Sequence, residues 1–156
     1  MEHWLQPLVQ MKSFLGTVLQ EVSLLVQALA PVLKKVLIVM LGGSLGAVSR
    51  YSISLLAAKT WGTQFPWGTL LVNLIGCFLI GLIFALADRA RLLTPGLRLL
   101  LITGFLGALT TFSTFSLETV NASRAGLTLQ PLVNILVNNL GGLALTFAGL
   151  WLGGLK

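Results

Sequence analysis

The chain has 156 residues, of which 56% are hydrophobic and 9% are charged, and its mean hydropathy is +0.94. This composition excludes a soluble domain and is typical of an integral membrane protein. The net charge of +6 does not indicate a nucleic-acid partner, because the basic residues are dispersed among loops. A single cysteine, Cys77, and a single histidine, His3, exclude an intrachain disulfide, a His/Cys metal cluster and a histidine-based catalytic triad. The composition therefore argues against an enzyme.

Residues 1–35 form the first predicted element, an N-terminal extension. Apolar residues recur there at intervals of three and four positions, from Leu15 through Val18 and Val22 onwards, which predicts an amphipathic helix. Glu21, the neighbouring glutamines and Pro31 are costly inside a bilayer, so we expect this helix to lie at the membrane interface. A fifth transmembrane span is the alternative.

Four apolar segments follow, at residues 36–58, 67–87, 97–117 and 132–152. Each reaches the roughly 20 residues needed to cross a hydrocarbon core about 30 Å thick. The connections between them are short and contain glycine and proline, which interrupt helices. The sequence therefore predicts an all-α membrane protein whose residues 36–156 form one domain of four transmembrane helices.

The basic residues are distributed unequally between the two sides of these spans. If the first span starts in the cytoplasm, two of the residues lie outside, Lys59 and Arg124, and seven lie inside: Lys12, Lys34, Lys35, Arg89, Arg91, Arg98 and Lys156. The positive-inside rule then predicts that both termini are cytoplasmic. Arg50 is the one basic residue within a span, and it should face protein, a water-filled vestibule or the headgroup layer. Snorkelling towards the interface is the simpler alternative.

The second and fourth spans contain amides at membrane depth. Asn73 lies about one third of the way into the second span, where an amide most often links helices but can also donate hydrogen bonds to an anion. Glycines at 68, 76 and 81 permit close helix contact, which would hold this amide at a narrow passage. Asn134 and Asn138 are four residues apart and share one face of the fourth span.

The third span is the most polar of the four. Phe112 and Phe115 are three residues apart on one helical face, and Gly104 and Gly107 lower helix propensity. The hydroxyl residues form a nearly continuous run: Thr110, Thr111, Ser113 and Thr114. Because hydroxyls compete with helical hydrogen bonds, we predict a local break in this helix. Such a break is tolerated in a membrane where it is buried in protein or lines a polar cavity. The alternative is a packing face whose hydroxyls bond back to helix carbonyls.

Three motifs on successive spans resemble the Fluc (CrcB) family of fluoride channels. They are Gly42-Gly-Ser-Leu-Gly-Ala with Arg50, Gly68-Thr with Val72-Asn-Leu-Ile-Gly76, and Gly104-Phe-Leu-Gly-Ala-Leu-Thr-Thr-Phe-Ser-Thr-Phe-Ser116. The resemblance extends from about residue 36 to the C-terminus. It implies an antiparallel, dual-topology homodimer with two fluoride pores and a central structural Na⁺ held by backbone carbonyls. By this resemblance Gly107 and Thr110 supply the sodium carbonyls.

The same resemblance implies passive export of fluoride from the cytoplasm across the inner (plasma) membrane, which lowers fluoride toxicity. The pore residues would be Asn73, Phe112 and Phe115, together with the hydroxyls Thr111, Ser113 and Thr114 and the amides Asn134 and Asn138. Relatives usually carry hydroxyls on the fourth span, where this chain has the two asparagines. Because the loop charge is unequal, a paralogous subunit of opposite orientation is an alternative partner to a second copy of this chain. A small multidrug-type four-helix exporter is the alternative function, but it needs a carboxylate in its first span, and residues 36–58 contain none.

Overall fold

The computed structural model describes residues 6–90 and 93–154, and every regular element within them is a helix. Four helical regions are long and apolar enough to cross a membrane: Gln10–Trp61, Trp67–Ala87, Pro95–Arg124 and Leu129–Gly154. The predicted all-α class is therefore confirmed for the described residues, and the four predicted segments lie in helices of sufficient length and hydropathy to span a membrane. The second region coincides with its predicted segment, and the other three extend beyond theirs.

The helices are named in chain order. The first two are uninterrupted, α1 at Gln6–Trp61 and α2 at Trp67–Ala90. The third region consists of α3 at Pro95–Arg98, a π-helical segment at Leu99–Leu106, α4 at Gly107–Leu109 and α5 at Phe112–Arg124. The fourth consists of α6 at Leu129–Leu136, a π-helical segment at Val137–Gly141 and α7 at Gly142–Gly154. The π-helical segments are thus confined to the third and fourth regions, which carry most of the predicted site.

The chain divides into two compact units, Met1–Leu37 and Ile38–Lys156. In the first unit, every side chain described between residues 10 and 37 is exposed. Helix α1 continues through Pro31 and does not end at the predicted boundary after residue 35. The helical conformation predicted for the extension is thus present from Gln6 onwards, residues 1–5 lying outside the described part of the chain. Its position at a membrane interface stays a prediction.

Close contacts between backbones hold the second unit together. A Cβ atom at Gly42 would collide with the carbonyl oxygen of Leu100, and one at Gly81 would collide with that of Thr146. The first contact brings α1 against the third helical region, and the second brings α2 against α7. Small residues allow such approach in membrane helices, where packing replaces the hydrophobic effect. Glycine is therefore required at these two positions for the observed helix spacing.

The core of the second unit lies where α2 meets the third region. Val72, Leu106 and Leu109 form its centre, each at most 3% exposed. Many large apolar side chains elsewhere in this unit are exposed, among them Leu140, Phe147 and Trp151. An apolar exterior of this extent matches a chain that is surrounded by lipid or by further subunits.

Candidate functional site

The third helical region changes conformation at two consecutive threonines. Helix α4 ends at Leu109, and Thr110 adopts φ −81° and ψ 156°. Thr111 is also extended, at φ −152° and ψ 118°, and its hydroxyl accepts a hydrogen bond from the N–H of Thr114 at 3.2 Å, which caps α5. A threonine at this position satisfies one of the N–H groups that a helix start leaves unpaired. The hydroxyl run therefore begins a new helix in the middle of an apolar segment.

Asn73 of α2 contacts the backbone of the extended Thr111. Its Oδ1 accepts from the Thr111 N–H at 2.8 Å, and its Nδ2 donates to the Thr111 carbonyl at 3.2 Å. The same Nδ2 donates to Oδ1 of Asn138 at 3.0 Å. Asn73 thus links the second, third and fourth helical regions. This is one of the two roles expected for it from the sequence, the other being anion binding.

The amides of the fourth region continue this chain of hydrogen bonds. Nδ2 of Asn138 donates to the carbonyl and to Oδ1 of Asn134, at 3.0 and 2.9 Å. Nδ2 of Asn134 donates to the Thr119 hydroxyl at 2.8 Å, which in turn donates to the Phe115 carbonyl at 2.7 Å. Asn134 is 2% exposed, and buried amides require such partners. The three predicted asparagines therefore form one directional series of donors and acceptors.

The carbonyls of Gly107 and Thr110 both lose their helical donors. In an uninterrupted α-helix the Gly107 carbonyl would accept from the Thr111 N–H, and the Thr110 carbonyl from the Thr114 N–H. The Thr111 N–H donates to Asn73, and the Thr114 N–H donates to the Thr111 hydroxyl. Carbonyl oxygens without helical partners are suitable ligands for a hard cation. The two carbonyls expected to hold Na⁺ are thus chemically fit to do so.

A cavity of about 340 Å³ lies beside these groups. Phe112 and Phe115 line it, and their ring centroids are 5.6 Å apart with planes tilted by 50°. Phe115 is 7% exposed and Phe112 is 77% exposed. The predicted site residues that line the cavity come from three helical regions: Asn73, Gly107, Thr110, Thr111, Phe112, Phe115 and Asn138.

Three predicted residues lie next to this cavity without lining it. Asn134 is one hydrogen bond away through Asn138. The hydroxyls of Ser113 and Thr114 lie 3.3 and 3.0 Å from the hydroxyl of Thr111. Three hydroxyls of the run, those of Thr111, Ser113 and Thr114, therefore bond to one another. The fourth, that of Thr110, bonds back to the Leu106 carbonyl at 3.0 Å, as the alternative interpretation of the run expected.

Arg50 is not brought to the cavity. Its side chain is half-buried on α1, and it is absent from the residues that line the cavity. The first span contributes to packing through its glycines, and the amide and aromatic groups of the site come from the other three regions.

Sequence reasoning did not select two residues that meet beside this site, Thr69 and Glu118. The Thr69 hydroxyl donates to Oε1 of Glu118 at 2.8 Å, and Oε2 is buried with no partner among the described residues. Both residues line a second cavity of about 260 Å³ together with Thr114. An acidic residue placed just after a membrane-length apolar segment was the signal available in the sequence.

Comparisons with known proteins identify the family of this chain. Residues 37–150 match the family described as CrcB-like protein, Camphor Resistance (CrcB). A protein of Legionella pneumophila (strain Lens) called Fluoride-specific ion channel FluC is 46% identical over 113 residues, which cover 72% of this chain and 84% of that protein. A Dehalococcoides mccartyi protein of the same name is 45% identical over 121 residues, covering 78% of this chain and 93% of that protein.

A third relative with the name Fluoride-specific ion channel FluC comes from Leptospira interrogans and is 40% identical over 119 residues, covering 76% of this chain and 94% of that protein. The family match includes all four spans and every residue of the candidate site. The extension before residue 37 lies outside it. The chain is an integral membrane protein that belongs to the CrcB (FluC) family of fluoride channels.

Proposed function

We propose that this protein is a fluoride-selective channel that exports fluoride passively from the cytoplasm and so lowers its toxicity. The observation that carries the proposal is the composition of the cavity lining. Two phenylalanines lie there beside hydrogen-bonded asparagine side chains, and the described lining residues include no carboxylate. Relatives that align with most of this chain carry the name of a fluoride-specific ion channel.

The chemistry of the lining groups suits fluoride. A small, strongly hydrated anion needs donors that replace its water, and it must bind weakly enough to leave. The edges of Phe112 and Phe115 are electropositive without a fixed charge. Both N–H groups of Asn73 already have acceptors, the Thr111 carbonyl and Asn138 Oδ1. Fluoride would therefore take the place of Asn138 as an acceptor for Asn73.

The remaining polar groups would extend the path on either side of this point. The hydroxyls of Ser113 and Thr114 both lie within 3.3 Å of the Thr111 hydroxyl. Asn138 and Asn134 provide further amides on the fourth region. Because these groups bond to one another, they can exchange partners as an ion passes. Arg50 would act outside this path, as a basic residue of the first span.

The functional unit would be an antiparallel dual-topology dimer with two pores, formed from two copies of this chain. Phe112 is 77% exposed although it belongs to the site, and Gly107 is exposed next to it. A second copy would cover both. The break at Thr110 and Thr111 would then place the carbonyls of Gly107 and Thr110 where they hold a structural Na⁺ shared by the two subunits. The cation would supply positive charge that neutralises carbonyl dipoles facing each other.

The membrane would be the cell inner membrane. The excess of basic loop residues on one side would favour insertion with both termini in the cytoplasm, whereas an antiparallel dimer of two copies needs half of the copies to insert the other way. A paralogous subunit of opposite orientation is the alternative partner to a second copy. Residues 1–35 would form an amphipathic helix on the cytoplasmic membrane surface.

Fluoride efflux from liposomes tests the proposed function. We expect purified protein to release fluoride with no proton gradient and to retain chloride. The small multidrug-type exporter predicts a requirement for a proton gradient instead. Equal release of fluoride and chloride, or no release of fluoride without a proton gradient, would contradict the channel proposal.

A further inference from the structure

One side chain, Asn73, contacts both polar groups of a single backbone residue in the third region. It accepts from the Thr111 N–H at 2.8 Å and donates to the Thr111 carbonyl at 3.2 Å. An amide that pairs with both groups of an extended residue reproduces the double hydrogen bond between opposite residues of antiparallel strands. The contact therefore holds Thr111 in its extended conformation, away from the helical one.

The first of these hydrogen bonds determines the state of the Gly107 carbonyl. The Thr111 N–H is the group that a continuous α-helix would direct to that carbonyl. Because Asn73 Oδ1 takes this N–H, the Gly107 carbonyl is released from helical pairing. Gly107 is also exposed and lines the cavity.

The same hydrogen bond determines the direction of the Thr110 carbonyl. The Thr110 C=O and the Thr111 N–H belong to one planar trans peptide, and they point in opposite directions. With the N–H directed at Asn73, the Thr110 oxygen must point away from Asn73. A single acceptor atom thus controls both carbonyls that the proposed function assigns to Na⁺.

We propose that Asn73 is a positioning residue of the sodium site. It lies in the fluoride cavity and orients the sodium-binding carbonyls through the peptide that joins Thr110 and Thr111. This inference rests on the proposed function, since it assumes the sodium site. Asn73 also lines the anion cavity and donates to Asn138, so the two sites share one side chain. Binding at one site must then affect binding at the other, and the coupling is reciprocal.

Two substitutions distinguish the contribution of the Asn73 acceptor oxygen from that of its N–H donors. Asn73→Leu removes the acceptor oxygen and both N–H groups at similar volume. Asn73→Asp keeps an acceptor oxygen at the same place and removes the N–H donors. The asparagine next to Asn138 supplies a matched control, because Asn139 lines the same cavity but donates its side-chain hydrogen bond to the Ile135 carbonyl of its own helical region rather than to Thr111.

Sodium binding is measured without ion flux, as the rise in melting temperature when NaCl replaces choline chloride at constant ionic strength. We expect Asn73→Leu to raise the half-saturating Na⁺ concentration about three- to tenfold, the effect of one lost hydrogen bond. Asn73→Asp should bind Na⁺ at least as tightly as the unmodified protein, and Asn139→Leu should leave sodium binding unchanged. Fluoride efflux should fall in both Asn73 variants.

A second measurement follows the hydrogen bond itself. In buffer without sodium, hydrogen exchange at the Thr111 amide should be faster in Asn73→Leu than in Asn73→Asp. If Asn73→Leu does not assemble, Asn73→Ser replaces it, because the shorter hydroxyl does not reach Thr111.

The outcomes distinguish this inference from the proposed function. Unchanged sodium affinity in Asn73→Leu, or equal loss in Asn73→Leu and Asn73→Asp, would overturn the positioning role while fluoride selectivity stands. An unmodified protein whose melting temperature does not respond to Na⁺ would overturn the positioning role and the sodium site together. Fluoride efflux from liposomes then decides separately whether the channel proposal survives.

Discussion

Replacement of Asn138 by leucine is expected to weaken the site more than any other exchange of one amide in the fourth region. The side chain takes part in three hydrogen bonds: it accepts from Asn73 at 3.0 Å, and it donates to the carbonyl and Oδ1 of Asn134 at 3.0 and 2.9 Å. Leucine has a similar volume, so no cavity term arises. Asn134 is 2% exposed, and its Oδ1 would lose its donor without access to water.

The expected loss of stability follows from measured contributions of hydrogen bonds between membrane helices, which are on average about 0.6 kcal/mol and at most about 1.7 kcal/mol each. Three such bonds predict a loss of about 2 kcal/mol, with an upper bound of about 5 kcal/mol. The control is Asn139→Leu, which removes one bond from an exposed side chain to the Ile135 carbonyl. It should cost about 0.6 kcal/mol or less.

The assay is reversible unfolding of the purified protein in mixed micelles, together with fluoride efflux from liposomes. We expect the loss of stability in Asn138→Leu to exceed that in Asn139→Leu about threefold, in line with the number of bonds removed. Fluoride efflux should also fall, because an apolar side chain replaces the acceptor with which fluoride would exchange at Asn73. Equal losses of stability in the two variants would refute the assignment of Asn138 to the amide series.

Two further predictions concern the aromatic pair and the orientation. Phe112→Ile and Phe115→Ile remove the electropositive ring edges, so fluoride efflux should fall at least about tenfold. Phe115→Ile should also lower the stability of the subunit itself, because Phe115 is buried within one chain. Unchanged efflux in both variants would show that the two rings serve in packing and not in conduction. Single cysteines at Ser123 and Ala90 in a Cys77→Ala background should be labelled unequally from outside intact cells, with Ser123 favoured. Equal labelling would show that loop charge does not determine orientation.

Several features of the site follow from local sequence. Gly107, the hydroxyl run and the two phenylalanines are close together along the chain, and their chemistry disfavours a regular helix whatever its surroundings. The capping of α5 by Thr111 is a local interaction of this kind. The shared face of Asn134 and Asn138 also follows from helical periodicity, and their hydrogen bond confirms it.

Other features depend on packing between distant segments. Asn73 and Thr111 are separated by 38 positions, and no local pattern specifies which backbone group an amide in another helix will meet. Thr69 and Glu118 are likewise far apart along the chain, with a separation of 49 positions, and no local pattern specifies their hydrogen bond. In each case the partner is determined by how closely two helices approach, and here that approach depends on glycines such as Gly76, where a Cβ atom would collide with the Thr110 side chain.

The sequence by itself determined that this chain has four segments long and apolar enough to cross a membrane, because span length and hydropathy are local properties. It also determined which residue types are available for an anion path and where the third helix is weakest. Only the tertiary structure decided that one amide, Asn73, takes the Thr111 N–H and thereby removes the helical donor from the Gly107 carbonyl. The physical reason is that an N–H group in a low-dielectric interior must have an acceptor, and which acceptor it finds depends on the packing of the helices around it.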